Sequence, residues 1–136
     1  METDKPKLSY WTIAALGLVW NLMGCLNFIA QSNPESVAQM PEVYGALIAS
    51  RPAWATAAFA VAVFGGAVGC ILLLMQRRVA VQVLMLSLGA IALTLLYALI
   101  TAGFSPQILT GTGMSLLIGG VLLWMARLAA RSGWLR

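Results

Sequence analysis

Apolar residues run along the chain in four long stretches, and only the last of these stretches contains a charged residue. The stretches cover about residues 8–30, 53–75, 79–102 and 106–130. The single charge within them is Arg127, near the end of the fourth. A helix needs about 20 mostly apolar residues to cross a bilayer, so each stretch is long enough to do so. The pattern predicts an all-α integral membrane four-helix bundle, with residues 1–136 forming a single transmembrane domain.

The composition favours the same class of protein. Hydrophobic residues make up 61% of the 136 residues, charged residues only 9%, and the mean hydropathy is +0.90. A soluble domain of this length buries only about two thirds of the surface of its unfolded chain, which leaves too much apolar surface in water. We therefore expect membrane lipids to cover the outside of the bundle.

The connection between the first two stretches, residues 33–50, has a helical pattern of its own. Asn33 suits a helix N-cap, Pro34 suits the first turn, and Glu35 places a negative charge at the positive end of the helix dipole. Pro41 interrupts the pattern, because proline breaks or kinks a helix interior. We predict one kinked or two short amphipathic helices on the outer surface; the alternative is a loop packed over the bundle.

Basic residues set the expected orientation. Seven of the eight lie at the N-terminus, at the Arg77–Arg78 turn or near the C-terminus, and Arg51 alone lies on the other side. Lys and Arg accumulate on the cytoplasmic side, so both termini are expected in the cytoplasm of a bacterium, with the spans in its cytoplasmic (inner) membrane. The net charge of +4 does not indicate nucleic-acid binding, because the basic residues flank the spans instead of clustering on a solvated face.

Small residues recur on one side of each predicted span. Close packing of membrane helices uses such residues, because they let two backbones approach. The predicted helix-packing positions are Gly17, Gly24, Gly65, Gly69 and Gly119. The spacing of Gly65 and Gly69 is also a candidate contact for a homodimer, and a membrane-protein partner is the other expectation.

Polar side chains within the spans fall mainly between mid-membrane and the outer side. The candidate ligand-binding residues are Asn21, Asn27, Gln31, Thr94, Tyr97, Thr101 and Ser115. If these side chains converge, they form a polar cup that is open to the outside and closed on the inside. The cup carries amides and hydroxyls but no charge, which favours a small neutral hydroxylated solute. The alternative is that the same groups only hydrogen-bond neighbouring helices or backbone carbonyls.

The chain offers little for catalysis. Its four acids, Glu2, Asp4, Glu35 and Glu42, all lie outside the spans, and the sequence contains no histidine. Neither a metal centre nor a nucleophile with a base can be assembled from these residues, so we expect no enzyme activity, no metal and no cofactor. Two cysteines lie at different depths in their spans, too far apart for a disulfide within one chain.

Several segments resemble a group of small bacterial four-span proteins that are often labelled "sugar transporter". The similarity rests on residues 19–24, Asn27-Phe28, 52–54, and the glycine-rich 64–69 ahead of Arg77-Arg78. Those proteins often carry an aspartate where this chain has Asn27. The resemblance implies a membrane protein that handles a small solute.

Two functions follow from the sequence as alternatives. The first is binding or transport of a small neutral polar solute through the outward polar cup. The second is a structural or accessory subunit of a membrane complex with no solute site of its own.

Overall fold

The fold is all-helical over the part of the chain that the structure describes. The computed structural model describes residues 6–103 and 106–136, except the side chains at 43, 44, 47, 102, 107 and 108. The helices are α1 (Leu8–Ala30), α2 (Pro34–Ala38), α3 (Glu42–Ser50), α4 (Ala53–Leu74), α5 (Val79–Ala102) and α6 (Pro106–Arg131). Helices α1, α4, α5 and α6 are long and apolar enough to span a membrane. The predicted bundle of four long apolar helices is confirmed, and its features are those of a multi-pass membrane protein.

The helix boundaries follow local chemistry. Each of the four long helices begins at the predicted residue and ends within one residue of the predicted end. Helix α5 ends at Gly103, whose φ of 72° lies in the left-handed region that favours glycine. Gln76, in the turn between α4 and α5, has a φ of 57° and reverses the chain without a glycine.

The connection between α1 and α4 forms two short helices, so the loop alternative is wrong. The side chain of Asn33 accepts a hydrogen bond from the backbone N–H of Glu35 at 3.0 Å, as an N-cap does. Pro41 lies between the two helices, immediately before Glu42, where α3 begins. Proline breaks or kinks a helix interior, so it separates α2 from α3. Helix α3 packs against α5. We call the side of the bundle that carries α2 and α3 the loop end, and the opposite side the terminal end.

The four long helices form a ring in which one junction is loose. Helix α4 packs against both α1 and α5, and α5 packs against α6. Helices α1 and α6 complete the ring with the fewest contacts of any neighbouring pair. The bundle therefore closes least tightly between its first and last helices.

The main apolar core lies at the terminal end. Its buried members are Tyr10, Ala14, Cys70, Leu73, Ala80, Leu84, Leu122, Met125, Ala126, Ala129, Trp134 and Leu135. The Tyr10 hydroxyl donates a hydrogen bond to the carbonyl of Leu73, which ties the start of α1 to the end of α4. The rings of Tyr10 and Trp134 meet edge to face, with centroids 5.7 Å apart. All four long helices contribute to this core, so it closes the terminal end.

The segment after α6 folds back over this core. The Arg136 N–H donates to the Gln76 carbonyl at 2.8 Å, and the Arg78 N–H donates to the Arg136 carbonyl at 2.9 Å. The Gln76 amide also donates to the Trp134 carbonyl at 3.1 Å. These bonds fasten the segment to the turn between α4 and α5, and they hold the Trp134 ring against the core.

The five predicted packing glycines all face another helix. A Cβ atom built on Gly69 would lie 2.5 Å from Cδ2 of Leu84, and one on Gly17 would lie 2.6 Å from Cδ2 of Leu122. Gly24 faces Val63, Gly65 faces Ser87, and Gly119 faces Leu88. Gly65 and Gly69 both pack on α5 of the same chain. The homodimer contact expected from their spacing stays a prediction.

We predict that Trp134→Ala lowers the free energy of unfolding by about 3–5 kcal/mol, because it leaves a large cavity in the core at the terminal end. The matched control is Trp124→Ala on α6, where the ring is 60% exposed and should face lipid. This control should change the free energy by about 0.5 kcal/mol or less. Equilibrium unfolding of both variants in the same detergent measures the difference. Equal losses in the two variants would contradict the structural role of Trp134.

Candidate functional site

A cavity lies among the four long helices and reaches the loop end. Its volume is about 490 Å³, within the range of about 300–1,000 Å³ that is usual for small-molecule sites. It is lined by Trp20, Asn21, Met23, Gly24, Asn27, Gln31, Met40, Pro41, Phe59, Ala62, Val63, Gly66, Leu84, Ser87, Ile91, Thr94, Gly111, Thr112, Ser115, Ile118, Gly119 and Leu122. Every long helix and the α2–α3 connection contribute to this wall.

Core side chains form the floor of the cavity, and its lining extends to Gln31, Met40 and Pro41 at the loop end. Leu84 and Leu122 line it and also belong to the core at the terminal end, so they form its floor. Gly111 to Leu122 on α6 corresponds to about 16 Å of depth. Met23 also lines the cavity, and its side chain is 59% exposed.

The structure brings together five of the seven predicted ligand-binding residues. Asn21, Asn27, Gln31, Thr94 and Ser115 line the cavity, on three different helices.

Tyr97 and Thr101 do not line the cavity. Tyr97 turns toward α3 and the start of α4, where its ring meets Trp54 at 5.6 Å and its hydroxyl lies 3.5 Å from Oγ of Ser50. Thr101 is exposed near the end of α5. Both residues lie at the depth predicted for the cup, but not on the side of α5 that lines the cavity.

Asn21 is the deepest amide in the cavity wall. It is buried, and its Nδ2 donates to the Gly17 carbonyl one turn earlier, at 2.8 Å. The rest of the amide lies against Gly66 of α4, where an added Cβ atom would overlap Oδ1 of Asn21 and lie 2.6 Å from its Cγ. None of the described residues donates a hydrogen bond to Oδ1. This oxygen is therefore an acceptor that remains available at the wall of the cavity.

Three hydroxyl groups in the wall, those of Ser87, Thr94 and Ser115, already donate their protons to backbone carbonyls. Ser87 donates to the Ala62 carbonyl at 2.7 Å, which joins α5 to α4. Thr94 donates to Ala90 at 2.8 Å within its own helix. A serine or threonine hydroxyl has one proton and two lone pairs. These groups can therefore offer the cavity only lone pairs.

Ser115 takes part in the one polar contact between α1 and α6 within the described part of the wall. Its hydroxyl donates to the Gly111 carbonyl at 3.1 Å and lies 3.2 Å from the indole nitrogen of Trp20, which donates to it. The indole N–H is thus also engaged inside the protein. This contact crosses the loose junction at about the depth of Asn21.

Two polar side chains of the wall can still both donate and accept hydrogen bonds. The side chains of Asn27 and Thr112 form no hydrogen bond with any residue that the structure describes. Asn27 is exposed and Thr112 is half-buried, and both lie in the upper part of the cavity. Below them the polar atoms are mainly acceptors, so the wall changes its hydrogen-bonding character with depth.

A positive charge stands beside the mouth. The Arg51 Nη1 donates to Oε1 of Gln31 at 2.9 Å, and its Cζ lies 5.4 Å from the centroid of the Phe59 ring. Burial lowers the pKa of the Arg51 guanidinium from its usual value, and the charge interaction with Tyr97 opposes this shift. Arginine stays protonated in proteins at neutral pH, so the group keeps its charge.

The sequence pattern did not identify Arg51 or Gly66 as parts of this site. From the sequence, Arg51 was used only to predict the orientation of the spans. It is the single basic residue on its side of the spans and lies close to Trp54 in the chain. Gly66 lies beside the predicted Gly65, and it alone of the pair faces Asn21.

The described residues offer no metal centre. No group of three histidine, cysteine, aspartate or glutamate side chains comes together in this part of the chain. Cys25 and Cys70 are buried free thiols.

Comparison of the chain with protein-family models, with curated proteins and with solved structures finds no match. The resemblance to small four-span proteins therefore stays an expectation from the sequence.

We predict that Gly66→Ala lowers the free energy of unfolding by about 1–3 kcal/mol, because the new methyl group overlaps the Asn21 amide in a packed region. Gly120→Ala is the matched control, since an added Cβ atom there meets nothing within 4 Å. The control should be neutral or stabilising by up to about 1 kcal/mol. Unfolding in detergent measures both variants.

The Asn21–Gly66 contact can be isolated with a double-mutant cycle. Asn21→Ala removes the amide that the new methyl group would strike, so the double variant should lose less stability than the two single losses added together. Strict additivity would contradict a direct contact between Asn21 and position 66.

Proposed function

We propose that this protein binds a small hydroxylated solute, and that the part of the solute within the spans is uncharged. The observation that carries the proposal is a cavity inside the bundle whose deeper polar atoms are hydrogen-bond acceptors. Buried acceptors favour a ligand that donates to them, because a buried polar group without a partner is costly. Hydroxyl groups meet this requirement without bringing a charge into the membrane.

The apolar part of the wall supports a compact solute with both polar and apolar faces. Trp20, Phe59 and Ile91 present rings and methyl groups to the cavity. Small-molecule sites commonly combine such a surface with a few polar groups that fix orientation. Sugars and polyols have C–H faces as well as hydroxyls, and they therefore form the first class of compounds to test.

Binding is better supported than open passage. The cavity reaches only the loop end, and the core around Tyr10 and Trp134 closes the terminal end. Transport would need a second arrangement in which this core separates.

The distribution of basic residues supports the orientation that we propose. Seven of the eight lie at the terminal end or in the N-terminal segment before α1, which favours a cytoplasmic location for both termini in a bacterial inner membrane. In this orientation the cavity opens to the outside.

A structural or accessory subunit is the second candidate. It is favoured by hydroxyl contacts that join helices, in particular Ser87 to Ala62 and Trp20 to Ser115. Such contacts stabilise a bundle whether or not a ligand binds. The two candidates differ in what happens when a polar side chain without a protein partner is removed.

We predict that Thr112→Val reduces the response to a ligand but not the stability of the protein. Valine keeps the shape of threonine, and the Thr112 hydroxyl has no hydrogen-bond partner among the described residues. Thermal unfolding in nanodiscs, with and without a panel of sugars and polyols, measures both quantities. At least one compound should stabilise wild type and stabilise Thr112→Val less.

Thr101→Val is the control, because Thr101 is exposed and does not line the cavity. This variant should respond to the same compound as wild type does. A panel without effect on wild type, or an equal loss of response in both variants, would contradict the proposed site. Such an outcome would favour the accessory-subunit alternative.

A further inference from the structure

Arg51 carries a charge that the described part of the protein does not neutralise. No acidic side chain among the described residues lies within 4.0 Å of its guanidinium nitrogens, although Glu35 and Glu42 belong to the same connection. A guanidinium has five N–H donors. One bonds to Gln31, and the buried Nε has no partner. A partly buried, unpaired cation with free donors requires a physical explanation.

The position of Arg51 connects it to the cavity. Gln31 and Phe59, the two side chains that hold the guanidinium, both line the cavity. Asn27 lies one helical turn deeper than Gln31 on α1, about 6 Å along the axis. The guanidinium Cζ lies 5.4 Å from the centroid of the Phe59 ring, and one of its nitrogens donates to Gln31. Arg51 does not itself line the cavity, but these two contacts place its guanidinium beside the mouth.

We infer that the ligand of this cavity carries an anionic oxygen group, a carboxylate or a phosphate, which binds Arg51 at the mouth while its hydroxyls reach down to Asn27, Thr94 and Thr112. This inference rests on the proposed function and specifies its ligand class. The expectation of a wholly neutral solute came from the absence of charge within the spans. Arg51 lies just outside the spans, so a charged group can stay at the mouth while only hydroxyls enter the helices.

A lipid headgroup is the other source of the same chemistry, because lipid phosphates lie at the depth of a span end. The described geometry favours the cavity ligand, since both residues that orient the guanidinium are part of the cavity wall. If lipid phosphate were the partner, Arg51 would act on membrane binding and not on solute choice.

Gluconate and glucitol test the inference, because they differ mainly in having a carboxylate or a hydroxymethyl group at one end. Binding of each is measured by calorimetry to the full chain in phosphatidylcholine nanodiscs. Gluconate should bind wild type at least about tenfold more tightly than glucitol, as expected for charge-assisted hydrogen bonds. Arg51→Gln should remove this preference by weakening gluconate binding, while Arg51→Lys should keep part of it.

Arg127→Gln is the matched control, since Arg127 is an exposed arginine on α6 toward the terminal end. It should keep the full preference for gluconate. Equal binding of the two compounds to wild type would overturn the inference and leave the proposed function standing. Binding of neither compound would contradict the proposed function itself. A preference that Arg51→Gln does not alter, or an Arg51 effect that depends on phosphatidylglycerol content and not on solute, would also overturn the inference.

Discussion

The contact between the Asn21 amide and Gly66 is the constraint on which the rest of the site depends. An amide inside an apolar helix is costly to bury unless its polar atoms are satisfied. Here one amide hydrogen bonds to the preceding turn, and the absence of a Cβ atom at Gly66 lets the rest of the side chain lie flat against α4. Helix α1 can therefore pack closely on α4 at this depth. The unsatisfied oxygen of Asn21 remains at the wall of the space that this arrangement leaves.

The two ends of the bundle have different roles. The terminal end holds the main apolar core, and the candidate site lies toward the loop end. At the terminal end, aromatic and aliphatic side chains from all four long helices pack into one core, and the segment after α6 fastens to the turn between α4 and α5. Toward the loop end, the helices surround a cavity in which Ser87 and Thr94 donate their hydroxyl protons to backbone carbonyls, whereas the Thr112 hydroxyl has no partner among the described residues. A bundle anchored at one end can keep an open space at the other, because the space does not have to hold the helices together.

The sequence predicted the helices and much of the cavity, but not the parts that depend on rotation and tertiary contact. Long apolar runs set helix ends closely, because membrane thickness and helix breakers such as Gly103 fix them. Asn21 and Ser115 were found because polar residues in a span rarely face lipid. Tyr97 was predicted to line the cup from its depth in the span, but depth does not determine on which side of α5 a residue lies. Arg51 was missed because its position beside Phe59 arises only when the connection folds back over the bundle.

Cysteine accessibility can test the proposal that a water-accessible cavity lies above a closed core and opens to the outside of the cell. Thr112→Cys and Met125→Cys are placed singly in a chain in which Cys25 and Cys70 are alanine, and intact bacteria are treated with a small anionic thiosulfonate that does not cross membranes. Thr112 lines the cavity, whereas Met125 is 3% exposed in the core at the terminal end. The account predicts modification at position 112 and none at position 125. Protection of position 112, or equal modification at both positions, would contradict it.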